Sequence, residues 1–102
     1  MANNLAIKPW KIDTPSATAL FTSHTRISFI EYVGYSDASH SVEVQDSLGN
    51  IVALLKGNVD LSGVKYGEDI GWVRGILVPV NQSAIFGAGV NLQSGILRVY
   101  IQ

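Results

Sequence analysis

The sequence predicts an all-β protein: a β-sandwich, a class that includes jelly rolls, with roughly seven to eight short antiparallel strands. Three observations favour this fold class. Several stretches alternate apolar and polar residues with the period of a strand, and no stretch repeats apolar residues with the spacing of a helix. Glycine-rich turns separate these stretches, as they do in antiparallel sheets.

The hairpin at residues 41–56 is the clearest element. Val42 and Val44 are expected to face the core. Glu43 and Gln45 alternate with them and are expected to face water. The next stretch, Asp-Ser-Leu-Gly-Asn, contains residue types that favour a turn, so the chain should return as a second, mostly apolar strand.

The chain as a whole is predicted to have two parts. Residues 1–17 form an extended arm or an edge strand, and residues 18–102 form the sandwich domain. Pro9 and Pro15 confine the first part to a sheet edge, because proline donates no hydrogen bond to a neighbouring strand. An arm that reaches a neighbouring subunit is equally consistent with this composition.

Two strands are predicted at the start of the sandwich domain, a short one at 18–23 and a longer one at 26–33. A turn at His24 and Thr25 separates them. In the longer strand Glu31 falls on the otherwise apolar side, which predicts a bulge or a sheet edge nearby.

The second half of the chain is predicted to add two more strands. Residues 57–71 form a long glycine-rich connection. Residues 72–80 are the most strand-like run, and Pro79 predicts that this run ends at a sheet edge. Residues 95–102 form a closing strand with one aliphatic face. Its opposite face carries Ile96, Arg98 and Tyr100.

The composition limits the possible functions. The chain has 102 residues, enough for one domain, and no cysteine, which excludes disulfides, zinc clusters and thiol catalysis. The net charge is −1 without any basic run, so neither nucleic acid nor an anionic membrane surface is an expected partner. No apolar run is long enough to span a bilayer, and the start lacks the pattern of a signal peptide. Synthesis in the cytoplasm is therefore expected.

The balance of apolar and charged residues predicts contacts with other chains. Hydrophobic residues make up 47% of the sequence and charged residues only 15%, against about 25% charged in an average soluble domain. A small domain with so few charges should leave apolar side chains on its surface. Such patches usually mark protein interfaces.

Three sets of polar residues are candidates for a catalytic or metal site. Asp37, His40 and Ser41 resemble parts of a catalytic triad, but they share one loop, whereas triad members normally come from different elements. His24 and His40 lack the spacing of a metal-binding pair. The acidic residues of the long connection lack the order of a calcium-binding loop. These acidic residues are Asp60, Glu68 and Asp69. No catalytic, metal-binding or cofactor-binding residue is predicted.

Several stretches carry a resemblance to a known class of proteins. They are Phe29 to Gly34, Asp37 to Gln45, the Asp46 to Asn50 turn, Gly71 to Val80 and Ser94 to Ile101. In this order they resemble small β-sandwich structural proteins of the virions of tailed bacteriophages. The resemblance implies a non-enzymatic capsid decoration or cement protein on the capsid surface, made in the host cytoplasm. Its implied partners are the major capsid protein and further copies of itself, as a homotrimer or a similar ring.

Seven residues are the predicted contacts of such an assembly, because they are apolar, aromatic or cationic and fall on the arm or on outward strand faces. They are Leu5, Ile7, Trp10, Trp72, Ile96, Arg98 and Tyr100. Two other functions stay open at this point. One is a tail or baseplate module that binds host glycans through Trp72, Tyr66 and the long loops. The other is a small enzyme built on the loop that contains His40.

Overall fold

The computed structural model describes residues 3–82 and 89–102. The described residues contain strands and no helix, which confirms the predicted all-β class in an arrangement compatible with a small β-sandwich. The strands in the described ranges are β1 (Trp10–Ile12), β2 (Phe21–Val33), β3 (Ser41–Gln45), β4 (Ile51–Lys56), β5 (Val64–Tyr66), β6 (Gly71–Ile76), β7 (Asn81–Gln82), β8 (Gly89–Val90) and β9 (Ile96–Ile101).

The largest sheet, called the main sheet below, is organised around the long strand β2. Its order is β1-β9-β2-β5, and β6 also pairs with β2. All of these pairings are antiparallel. β6 pairs with the first half of β2, between Phe21 and Ile27, and β5 pairs with Ile30 to Tyr32. The two short strands therefore follow one another along the same side of β2.

The predicted hairpin is confirmed as strands β3 and β4, which form the second layer. The side chain of Asp46 organises its turn by accepting hydrogen bonds from the backbone N–H groups of Leu48 and Asn50, both at 2.9 Å. Gln45 also forms a bridge with Leu77, just after β6. The backbone thus links the hairpin to the main sheet at one edge.

The core lies between the main sheet and the hairpin. β2 and β9 contribute alternate residues, as their sequence pattern predicts, and the hairpin contributes its valines. The fully buried aliphatic and aromatic side chains are Ile12, Ile27, Ile30, Tyr32, Val42, Val44, Ile76, Val78, Leu97 and Val99. The opposite face of β9 points outward, as predicted.

The turn predicted at His24 and Thr25 is wrong, because both residues lie inside the continuous strand β2. Two register shifts interrupt this strand, and one of them follows Ile27. The extra residue there moves Glu31 to the outer face, opposite Arg98. The bulge predicted near Glu31 is therefore confirmed. It explains how one strand can change the face on which its apolar residues lie.

The segment before β2 packs along the edge of the main sheet. β1 is paired with β9, and Ile12 is fully buried. Asn4 pairs with Lys11 through both backbone hydrogen bonds, at 2.7 and 2.9 Å, so the first residues fold back over the free side of β1. The Asn3 side chain accepts hydrogen bonds from the backbone N–H groups of Asp13 and Thr14. Covering an edge strand in this way protects it from pairing with foreign strands.

The prediction that Glu43 faces water is wrong, because its side chain is buried. The buried side chain of Asn91 forms hydrogen bonds with both backbone polar groups of Glu43. Its Oδ1 accepts a hydrogen bond from the N–H of Glu43 at 2.7 Å, and its Nδ2 donates to the carbonyl of Glu43 at 3.0 Å. The same Nδ2 donates to the carbonyl of Pro79 at 2.9 Å. Asn91 thus takes the place of a neighbouring strand beside β3.

Candidate functional site

The outer face of the main sheet carries a row of charged residues. The strand register places Lys11, Arg98, Glu31 and Lys65 side by side across four strands. Arg98 and Glu31 form an ion pair with an Nη1–Oε1 distance of 3.4 Å. Because both side chains are partly exposed, this pair contributes little to stability. The row is positively charged overall.

An aromatic pair lies beside this charged row. The rings of Phe29 and Tyr100 stack with their centroids 4.2 Å apart, and the ammonium group of Lys65 lies 4.4 Å from the centroid of Phe29. The hydroxyl of Tyr100 donates to Oε1 of Glu31 at 3.2 Å. These contacts hold the side chains of the outer face in place before any partner binds.

A groove runs between the folded-back N-terminal residues and strand β9. It has a volume of about 380 Å³. We call it the outer groove, and its lining residues are Ile7, Pro9, Lys11, Ile96, Arg98 and Tyr100. A second recess of about 430 Å³ adjoins it and shares Lys11 and Ile96. The outer groove combines apolar walls with Lys11, Arg98 and Tyr100, and of these residue types arginine and aromatic residues are enriched at protein interfaces.

The structure brings four of the seven predicted contact residues together in the outer groove. They are Ile7, Ile96, Arg98 and Tyr100. Trp10 is only 5% exposed and packs on Phe21 with a centroid distance of 4.8 Å, so its side chain belongs to the core and offers little surface to a partner. Leu5 is half-buried against the core. Trp72 lies on β6, which pairs with β2 on the side opposite β9.

Trp72 is the most exposed aromatic residue in the described part of the chain, at 69%. It lies opposite Arg26 in the register of β6 and β2. Arg26 forms an ion pair with Asp69 at 3.2 Å, and the Gln102 side chain donates to the same carboxylate at 3.3 Å. We call these four residues the Trp72 patch. It presents one large aromatic surface within a polar rim.

A loop with several internal hydrogen bonds leads into β5. The side chain of Asn58 accepts a hydrogen bond from the backbone of Ser62 at 3.0 Å and donates to the hydroxyl of Ser62, also at 3.0 Å. The buried hydroxyl of Tyr35 accepts from the N–H of Asn58 at 3.0 Å and donates to the carbonyl of Ser62. We call residues 58–62 the knob loop. Sequence patterns did not reveal it, because its anchor lies more than twenty residues away.

The knob loop displays apolar side chains on the surface. Val59 is 87% exposed and Leu61 is 47% exposed, with Asp60 between them. Leu61 has a φ angle of 58°, in the left-handed region that costs a side-chain-bearing residue about 1 kcal/mol or more. The hydrogen bonds of the loop maintain this conformation. The apolar tip is therefore held in one shape.

The residues of the candidate triad do not form one. The Ser39 backbone N–H and hydroxyl both bond Asp37, which lowers the pKa of that carboxyl below its usual value. Ser41 is buried, and its hydroxyl accepts from the Gln82 side chain at 2.7 Å. Nδ1 of His40 instead lies 2.6 Å from the hydroxyl of Ser94.

The other polar candidates are also separated. His24 accepts a hydrogen bond from Nε of Arg74 at 3.3 Å, and His40 lies in a different part of the fold. The described ranges contain no cluster of three or more histidine, cysteine or acidic residues that could hold a metal ion. In those same ranges no helix is long and apolar enough to cross a membrane.

No protein-family model, curated protein or solved structure matches this chain. The surface features of the chain are therefore interpreted from their own geometry. Three of them stand out: the outer groove, the Trp72 patch and the knob loop.

Proposed function

We propose that this chain is a non-enzymatic structural protein that works in an assembly with other protein subunits. Its place is the surface of a bacteriophage capsid, where it acts as a decoration or cement protein bound across junctions of the major capsid protein. The observation that carries the proposal is the number of large hydrophobic side chains that the described residues leave exposed, among them Trp72 at 69%. The resemblance of its strand and turn order to small phage virion proteins supports the location.

The Trp72 patch supplies the contact with the capsid. Tryptophan and arginine are the residue types most often responsible for binding energy at the centre of protein interfaces. Here an exposed tryptophan lies beside an arginine that Asp69 already holds in position. Each 100 Å² of apolar surface removed from water contributes about 2.5 kcal/mol. Copies that are joined to one another bind the shell more tightly than single copies, because the first contact raises the effective concentration of the sites linked to it.

Cosedimentation of the purified chain with empty capsids of the phage that encodes it tests this proposal. The wild-type chain should bind, and Trp72→Ala should weaken binding about 30-fold, the loss expected for an interface hot spot. Leu48→Ala is the control, since Leu48 is 65% exposed but lies in the hairpin turn. A wild-type chain that fails to bind capsids contradicts the proposal.

A second candidate function is glycan recognition on a tail or baseplate, and the same patch favours it. An exposed aromatic ring can stack on a sugar, while nearby polar groups such as Asp69 and Gln102 can bond its hydroxyls. A glycan array separates the two functions. Specific glycan binding that Trp72→Ala abolishes, without any binding to capsids, would favour this second function.

A further inference from the structure

The knob loop and the outer groove are complementary in polarity. The loop presents Val59 and Leu61 as apolar projections, and the groove has apolar walls that include Ile7 and Ile96. The volume of the groove, about 380 Å³, is at the small end of the roughly 300–1,000 Å³ of typical binding pockets. It suits the tip of a short loop better than a whole folded element.

The charges of the two features are also complementary. Asp60 lies between the two exposed apolar residues of the loop, and Lys11 lies in the groove. Among the residues that the structure describes, neither of them has an ion-pair partner. Arg98 adds a second cation to the groove, and Glu31 compensates it only through a long, exposed contact. Docking of the loop in the groove would therefore bring the carboxylate of Asp60, which has an apolar residue on each side, close to Lys11 and Arg98 between the apolar walls.

The two features lie at opposite edges of one sheet. In the order β1-β9-β2-β5, the groove is formed at the β1 side, and the knob loop leads directly into β5. Three strand spacings of about 4.8 Å separate these edges, so a single chain cannot place its own knob loop in its own groove. A second copy can bind at each edge without competing with the first.

We propose that the knob loop of one copy docks in the outer groove of a second copy, with Asp60 paired to Lys11. The contact is head-to-tail and joins two different surfaces, so repeated contacts either close into a ring or extend into a chain. The hydrogen bonds from Tyr35 and Asn58 fix the loop before binding, which reduces the entropy lost on association. This inference rests on the assembly with other protein subunits in the proposed function, adds copies of the chain itself as partners, and is independent of the capsid.

Charge reversal tests the pairing in analytical ultracentrifugation of the full chain. Asp60→Lys or Lys11→Glu alone places like charges in contact and should weaken self-association about tenfold or more. The double variant D60K/K11E should recover most of the wild-type association. An equimolar mixture of the two single variants should restore contacts between unlike variants, because each offers a complementary surface to the other. Open chains and rings with an even number of subunits can then form, whereas a ring with an odd number retains one like-charge contact.

Three further variants serve as controls and as a test of the apolar contact. Glu68→Lys and Lys56→Glu reverse exposed charges elsewhere and should leave association unchanged. Leu61→Asn should weaken association while the loop keeps its conformation, because asparagine tolerates a positive φ angle. Circular dichroism and thermal unfolding verify that each variant is folded.

A wild-type chain that stays monomeric at high concentration overturns the inference. An oligomer that is insensitive to both single reversals, or that the double variant does not restore, overturns it as well. A monomer that still binds capsids would remove the knob-and-groove contact but leave the proposed function standing. An oligomer that shows the predicted charge response but does not bind capsids would support the knob-and-groove contact and contradict the proposed function.

Discussion

Asn91 provides the sharpest stability prediction, because one buried side chain satisfies three backbone groups. It accepts from the N–H of Glu43 and donates to the carbonyls of Glu43 and Pro79, at distances between 2.7 and 3.0 Å. Asn91→Leu keeps the number of heavy atoms and the branching of the side chain but can form none of these bonds. The substitution leaves a donor of β3 and two acceptors unpaired in a dry environment.

The size of the effect follows from the number of bonds. A buried polar group that loses its partner costs about 1–3 kcal/mol, so three groups at the lower limit give about 3 kcal/mol. For a domain of this size, each kcal/mol lowers the melting temperature by about 4–8 °C. Asn91→Leu should therefore melt about 12 °C or more below the wild-type chain.

Urea unfolding followed by tryptophan fluorescence measures this loss. Asn50→Leu is the matched control, because Asn50 is exposed and its side chain donates one hydrogen bond, to Asp46 at 3.1 Å. The control should lose about 1 kcal/mol or less. If the two variants unfold at the same urea concentration, Asn91 does not take the place of a strand beside β3.

Three other predictions concern backbone fit, pH and the knob loop. Gly75→Ala should destabilise the fold by about 2–4 kcal/mol, because its φ is +77° and a Cβ would collide with the backbone of β2. Gly71→Ala is the control, because its φ is +94° but the space around it is open, and it should cost about 1 kcal/mol. The same urea assay measures both losses. The hydrogen bond from the backbone N–H of Asn50 is the main cause of the lowered pKa of Asp46. The stability that the Asp46 carboxylate contributes is therefore present above about pH 4 and lost as the pH falls through its folded pKa. In Asp46→Asn, the free energy of unfolding should depend less on pH in this acidic range. Tyr35→Phe should speed hydrogen exchange of the knob-loop amides and weaken self-association, and unchanged exchange would show that the hydroxyl does not hold the loop.

The sequence predicted local features well because short-range patterns determine them. Alternation in residues 41–45 and 96–101 and the turn chemistry after Gln45 led to the hairpin and to the orientation of β9. It failed at Glu43, because burial there depends on a side chain 48 residues away. It also placed a turn at His24, where pairing with β6 keeps the strand continuous. Long-range partners override local preference in both cases.

Only the part of the candidate site that depends on strand alternation was predicted. Alternation placed Ile96, Arg98 and Tyr100 on an outer face. The structure brings Ile7, which was predicted separately on the arm, next to them. Trp10 was expected at a partner surface, but its pairing with β9 turns it into the core. The knob loop depends on the distant hydroxyl of Tyr35.

Hydroxyl-radical footprinting of the chain, free and bound to empty capsids, tests most directly whether its exposed apolar surface serves to contact other subunits. Side-chain oxidation is read by mass spectrometry. On capsids, Trp72 should become protected, while Leu48 in the hairpin turn should stay as reactive as in the free chain. A capsid-bound chain whose Trp72 is oxidised as fast as before would contradict the account.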